Sequence, residues 1–132
     1  MDHKAVIVCL IFGVVQVSAV ETYYEILEGN HGDLHTPGYP DEYKNNFHKT
    51  WQLNLPWTEK KYTLTLTIEA MDIEGTPPDC YDYIKVDHKE YCGQSSKEIK
   101  VYGIESGLNI EFISDGSVVG QGFKGQYKFE ED

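Results

Sequence analysis

The side chains in this protein best suited to chemistry are acids. Asp and Glu number 22 against 11 basic residues, all of them Lys, for a net charge of −11 over 132 residues. Such an excess favours cations, whether metal ions or basic protein partners. It argues against nucleic acid and anionic membrane surfaces, which call for a basic face. Two further groups have spacings that suggest chemistry. His31 and His35 stand four apart with Asp33 between them, in a stretch read as a loop. No third protein ligand stands nearby in sequence, so solvated loop histidines explain them better than a metal site. Ser114-Asp115-Gly116-Ser117 has the look of a nucleophile turn, yet it lacks the Gly-x-Ser-x-Gly frame and a placed base. Catalysis by this chain is therefore not expected. Trp57 and Tyr62 offer ring faces on which a sugar would stack, but packing in a core or interface is the commoner use of such rings.

The elements that must position these groups follow an export signal. Lys4 gives a basic start, Ala5 to Val15 form an apolar run, and Val17-Ser18-Ala19 supplies small residues for cleavage. The run is too short to span a bilayer, so residues 1–19 read as a signal peptide and the mature chain as secreted from Val20 onward. Cys9 leaves with that peptide, and Cys80 and Cys92 remain to pair in an oxidising compartment. Such a bridge closes a short loop and contributes about 3 kcal/mol in the chain-entropy model. One bridge is sparse for a small exported domain, so a hydrophobic core must supply most of the stability. No Asn-x-Ser/Thr sequon is present, so N-glycosylation is not expected.

From about Lys49 onward the chain alternates apolar and polar residues at the period of half-buried strands. The runs are Trp51 to Leu55, Tyr62 to Ile68, Tyr81 to Val86, Leu108 to Ile113 and Phe123 to Phe129. Threonines line the outward positions of the second run, where β-branching is well tolerated. Pro77-Pro78, Cys92-Gly93, Ser106-Gly107 and Asp115-Gly116 mark turns. No helical periodicity, repeat or linker interrupts this pattern, which predicts one all-β domain built as a sandwich or barrel. Glu130-Glu131-Asp132 reads as a solvated acidic tail.

Five motifs in order carry a family resemblance. Thr36-Pro37-Gly38-Tyr39-Pro40, with Tyr43 and then Trp51, resembles the opening of CUB domains. Cys80-Tyr81-Asp82-Tyr83-Ile84-Lys85-Val86, Tyr91-Cys92-Gly93, Ile110 to Asp115 and Gly122 to Tyr127 resemble its later segments. The likeness covers residues 32–129, leaving 20–31 as an N-terminal segment and 130–132 as the tail. It implies an antiparallel two-sheet β-sandwich of jelly-roll type. Two features depart from the usual pattern. The earlier of two disulfides is missing, with Lys49 near the place of one partner, and Asp82 follows Cys80 by two residues instead of three. Some members, among them leading CUB modules of the initiating complement proteases, also keep only the later bridge.

The resemblance also implies a site. Calcium-binding members draw carboxylates from a Glu before the cysteine loop, the Asp of a Tyr-Asp step and the Asp of a Ser-Asp turn, with a supporting Tyr. Here these are Glu74, Asp82, Asp115 and Tyr43. Ser114, Ser117 and turn carbonyls are candidates to complete the shell around a calcium ion, and Tyr43 is expected to orient Glu74. In such members the Glu and the second Asp accept hydrogen bonds from a partner's lysine, which assigns partner contact to Glu74, Asp115 and Tyr43. The expected role is calcium-dependent binding of an extracellular protein through an exposed basic residue. A stand-alone venom, salivary or seminal effector is the alternative, and a carbohydrate-binding module a further one.

Overall fold

The computed structural model describes residues 2–4, 20–56 and 59–132. Apart from the short stretch 2–4, the expected signal peptide lies outside the described residues, and so does Trp57. The strands are β1 (Asp2–Lys4), β2 (Glu21–Glu28), β3 (His31–His35), β4 (Phe47–Asn54), β5 (Tyr62–Asp72), β6 (Gly75–Thr76), β7 (Asp79–Cys80), β8 (Tyr83–Val86), β9 (Lys89–Tyr91), β10 (Lys97–Ile104), β11 (Gly107–Ile113) and β12 (Gly122–Glu131). A six-stranded sheet runs β1-β2-β4-β11-β8-β9, and a four-stranded sheet runs β10-β5-β12-β3. A two-stranded ribbon, β6-β7, stands apart. Pairing is antiparallel throughout except between β2 and β4, which run parallel in register from Glu21↔Phe47 to Glu28↔Asn54.

The alternation seen in the sequence is what closes the sandwich. Along β5, Leu64, Leu66 and Ile68 are fully buried while Thr63, Thr65 and Thr67 sit on the other face. Trp51 and Leu53 of β4, Ile110 and Phe112 of β11, and Phe123, Tyr127 and Phe129 of β12 meet them from both sheets. Each such side chain removed from water contributes roughly 1.5–3 kcal/mol. Edge-to-face contacts fix the packing, with Trp51 against Phe123 at 5.6 Å and Tyr43 against Phe112 at 4.9 Å between ring centroids.

Four stretches add to or depart from the sequence reading. Residues 20–31, read from sequence only as an N-terminal segment, include β2, which adds a parallel strand and packs Tyr23 and Leu27 on the core. Glu130 and Glu131 continue β12 beside β5, and the Asp132 N–H donates to the Lys61 carbonyl, so the acidic end is largely sheet. His31 and His35 lie on a strand, β3, both exposed along with Asp33. The β10 strand, absent from the predicted set, buries Ile99 and Val101 beside β5.

Candidate functional site

Four segments deliver the acids and their tyrosine to one end of the sandwich. Glu74 follows β5, Asp82 lies between β7 and β8, Asp115 follows β11, and Tyr43 sits in the loop before β4. Hydrogen bonds tie these segments together. Ile73 and Gly93 exchange both backbone bonds, the Asp82 N–H donates to the Glu74 carbonyl at 3.2 Å, and the Tyr43 N–H donates to the Gly120 carbonyl at 3.0 Å. The disulfide between Cys80 and Cys92 is formed and anchors the ribbon beside Glu74. Gly75, next to Glu74, has φ +132°, and a Cβ there would come within 2.9 Å of the Asp79 carbonyl oxygen. Only glycine passes the chain so close to the bridge.

Asp82 is the centre of the arrangement. It has no solvent exposure. One carboxylate oxygen accepts the Tyr43 hydroxyl at 2.6 Å, and the other accepts the Asp115 N–H at 2.8 Å. The Tyr43 hydroxyl in turn accepts the Glu74 N–H at 3.2 Å. Tyr43 therefore holds Glu74 through its backbone N–H and Asp82 through its carboxylate. At 3 % exposure it stands behind the acids, away from the surface a partner would touch.

One oxygen of each carboxylate, Glu74, Asp82 and Asp115, lies within 4.8 Å of the others. Two oxygens bound to one calcium at about 2.4 Å each can be no farther apart than about twice that, so the three fit a single ion. Glu74 Oε1 is buried with no hydrogen-bond partner. An orphaned carboxylate oxygen is costly and calls for a cation or donor. Burial, and then the charges of Asp82 and Asp115, push the Glu74 carboxyl above its usual range. Asp82 is raised as well, chiefly by burial, against the opposing pull of its hydrogen bonds from Tyr43 and Asp115. Burial and the bond to Asp82 raise Tyr43, so its hydroxyl keeps its proton and remains a donor.

The neighbouring serines divide in role. Ser117 donates its N–H and its hydroxyl to Asp115 Oδ1, at 3.0 and 3.2 Å, which aims that carboxylate. Ser114 was a candidate ligand, but its hydroxyl donates to the Lys44 carbonyl at 2.6 Å and accepts the Phe47 N–H at 3.0 Å. It is a tether between loops, turned away from the acids. His31, Asp33 and His35 gather no further ligand among the described residues. Tyr62 packs half-buried against the core instead of presenting a free ring.

Sequence reasoning did not foresee Asp72. Its carboxylate accepts the Gln94 side-chain amide at 3.0 Å and the Gln121 N–H at 3.1 Å, bracing the loops that flank Glu74. The only signal for it was its place two residues before Glu74.

Comparison with known proteins agrees with this geometry. The chain shares 28% identity over 110 residues with Tolloid-like protein 2 of Mus musculus, covering 76% of this chain and 10% of that protein. It shares 32% over 124 residues with a bone morphogenetic protein 1 homolog of Strongylocentrotus purpuratus, covering 83% and 19%. Thus it spans a tenth to a fifth of the length of these relatives. The structure of a MASP-1 CUB2 domain bound to Ca2+ superposes with a TM-score of 0.64 at 28% identity, covering 79% of this chain and 96% of that one. The CUB domain model matches residues 23–127, and the chain belongs to the CUB domain family.

Proposed function

We propose that this CUB domain is a secreted, non-enzymatic module that binds calcium at Glu74, Asp82 and Asp115 and uses the loaded site to grip a lysine of another extracellular protein. CUB domains are extracellular and typically bind proteins. The observation that carries the reading is the convergence of three carboxylates around a buried, unpartnered Glu74 oxygen. Three carboxylates supply part of the six to eight oxygens that calcium takes, and nearby carbonyls and water complete the set. The ion would supply the positive charge that lets these acids stay ionised side by side. Glu74 and Asp115, both partly exposed, keep oxygens for a lysine ammonium at the rim. Asp82 and Tyr43 hold the frame beneath them. The acidic surface speeds the arrival of a basic partner without fixing which one binds.

The test is thermal unfolding in EDTA and then in excess calcium. Calcium at about 100 times its Kd adds about 2.7 kcal/mol to the folded state. A rise in Tm that Asp115→Ala loses is the expected result. An unchanged Tm in the wild type at millimolar calcium would overturn the reading.

A further inference from the structure

Glu74 belongs to two features at once. It gathers with Asp82 and Asp115, and it also lines an open groove of about 640 Å³. Asp72, Ile73, Pro77, Gln94, Val118 and Val119 line that groove with Thr76 and glycines at 75, 93 and 120. We infer that this groove holds an apolar side chain two positions from the partner's lysine, so that the protein recognises an extended Lys-x-apolar or apolar-x-Lys segment. The inference rests on the lysine-gripping reading above.

Three observations support it. First, Val118 is 63 % exposed, three residues after Asp115, on a strongly acidic protein. An exposed branched side chain at the lip of a groove gains from being covered. Second, the walls are locked before anything binds. Asp72 joins the end of β5 to Gln94 and to Gln121, the Ile73–Gly93 bridge joins β5 to the turn after Cys92, and Tyr43 holds Gly120. A Cβ at Gly120 would come within 2.4 Å of the Asp72 carbonyl oxygen, so that wall is at its closest approach. A groove already ordered spends little binding energy on ordering itself. Third, the lining mixes chemistries, the acids Asp72 and Glu74 beside the apolar Ile73, Pro77, Val118 and Val119. The complementary ligand is cationic at one point and apolar nearby. In an extended chain, side chains two positions apart project on the same side about 6.8 Å from each other. A lysine ammonium on Glu74 thus leaves the second side chain over the groove.

The experiment uses two immobilised synthetic peptides at high surface density, Gly-Leu-Gly-Lys-Gly-Leu-Gly and its counterpart with both leucines replaced by glycine. Binding is measured in calcium and in EDTA, with wild type and with Val118→Asn, a neutral change at an exposed position. The expected result is calcium-dependent binding of both peptides, with the leucine peptide at least about fivefold tighter, as for partial burial of one leucine. Val118→Asn removes that gain and keeps the calcium-dependent rise in Tm. Equal affinity for the two peptides, or a gain that survives Val118→Asn, overturns the groove and leaves the lysine grip standing. Failure of both peptides to bind in calcium overturns both.

Discussion

The sheet faces and the loop end of this sandwich treat carboxylates in opposite ways. On the sheets, acids meet cations. Glu25 pairs with Lys49 and Glu130 with Lys128, each at 2.9 Å. At the loop end, Glu74, Asp82 and Asp115 face one another, and among the described residues none of them makes an ion pair. The consequence appears in their protonation. Lys128 holds the Glu130 carboxyl below its usual range, while burial and like charge hold Glu74 above it. The 22 acids are therefore of two kinds. Some are compensated by lysines on the sheets, and three are gathered where burial and like charge disfavour their ionised forms. Perturbed carboxyls gathered in this way mark a candidate functional site.

Asp82→Ala would strain this contrast most. It removes the shared acceptor of the Tyr43 hydroxyl and the Asp115 N–H, and hydrogen bonds to a charged group are worth about 1.5–3 kcal/mol each. Relief of repulsion offsets part of that loss. A net destabilisation of about 2–4 kcal/mol is expected in EDTA by urea unfolding, together with loss of the calcium-induced rise in Tm. A calcium response that persists in Asp82→Ala would mean the ion sits elsewhere.

Tyr43→Phe is expected to cost less, about 1–2 kcal/mol, since the ring keeps its edge-to-face contact with Phe112 and only the hydroxyl is lost. Calcium affinity, read by calorimetry, should fall severalfold because Asp82 and the Glu74 backbone lose their common brace. If affinity is unchanged while stability falls, the tyrosine supports the fold and not the site.

The loop end was also the region least open to reading from sequence by residue pattern alone. The β5 strand was legible because Leu64, Leu66 and Ile68 alternate with threonines. By contrast, β2 carries Tyr23 and Leu27 inward but also leaves Tyr24 and Ile26 on its outer side, which blurs the period. In β10, Ile99 and Val101 do alternate, so a signal was there, diluted by flanking charge and closed by Gly103. The site poses a different problem. Positions 43, 74, 82 and 115 share no spacing that would mark a common site. Only the family motifs joined them, and motifs could not show that Ser114 turns away or that Asp72 braces the loops. Those facts depend on where backbone N–H groups point, which residue type does not encode.

On the sheet side, Lys49→Met tests whether compensated charge matters at all. Lys49 is only 15 % exposed, pairs with Glu25 and lies 5.7 Å from the Trp51 ring centre. It fastens the parallel strand β2 to β4. Partly exposed pairs contribute up to about 1 kcal/mol, and stacking on the indole adds a similar amount at most. A loss of about 1 kcal/mol with an unchanged calcium response is expected from urea unfolding. A weakened calcium response would show that the two regions are coupled through the core.

The smallest effect, and the one of opposite sign, belongs to Glu74→Gln. Because the folded-state pKa of Glu74 is raised, proton binding favours the folded form. The stability linked to that proton is fully present below the unfolded value of about 4.3 and is lost as pH rises through the folded one. Ionising Glu74 beside Asp82 and Asp115 therefore costs the metal-free wild type stability as pH rises, a cost the neutral glutamine avoids. In EDTA, Glu74→Gln should unfold at a higher temperature than the wild type at pH 7, and the gap should close near pH 4, where Glu74 itself is protonated. In calcium the order should reverse, because a carboxylate ligand has been lost. A gap of the same size at both pH values would mean that glutamine helps by fit instead of charge, and the contrast between the loop end and the sheets would lose its electrostatic basis.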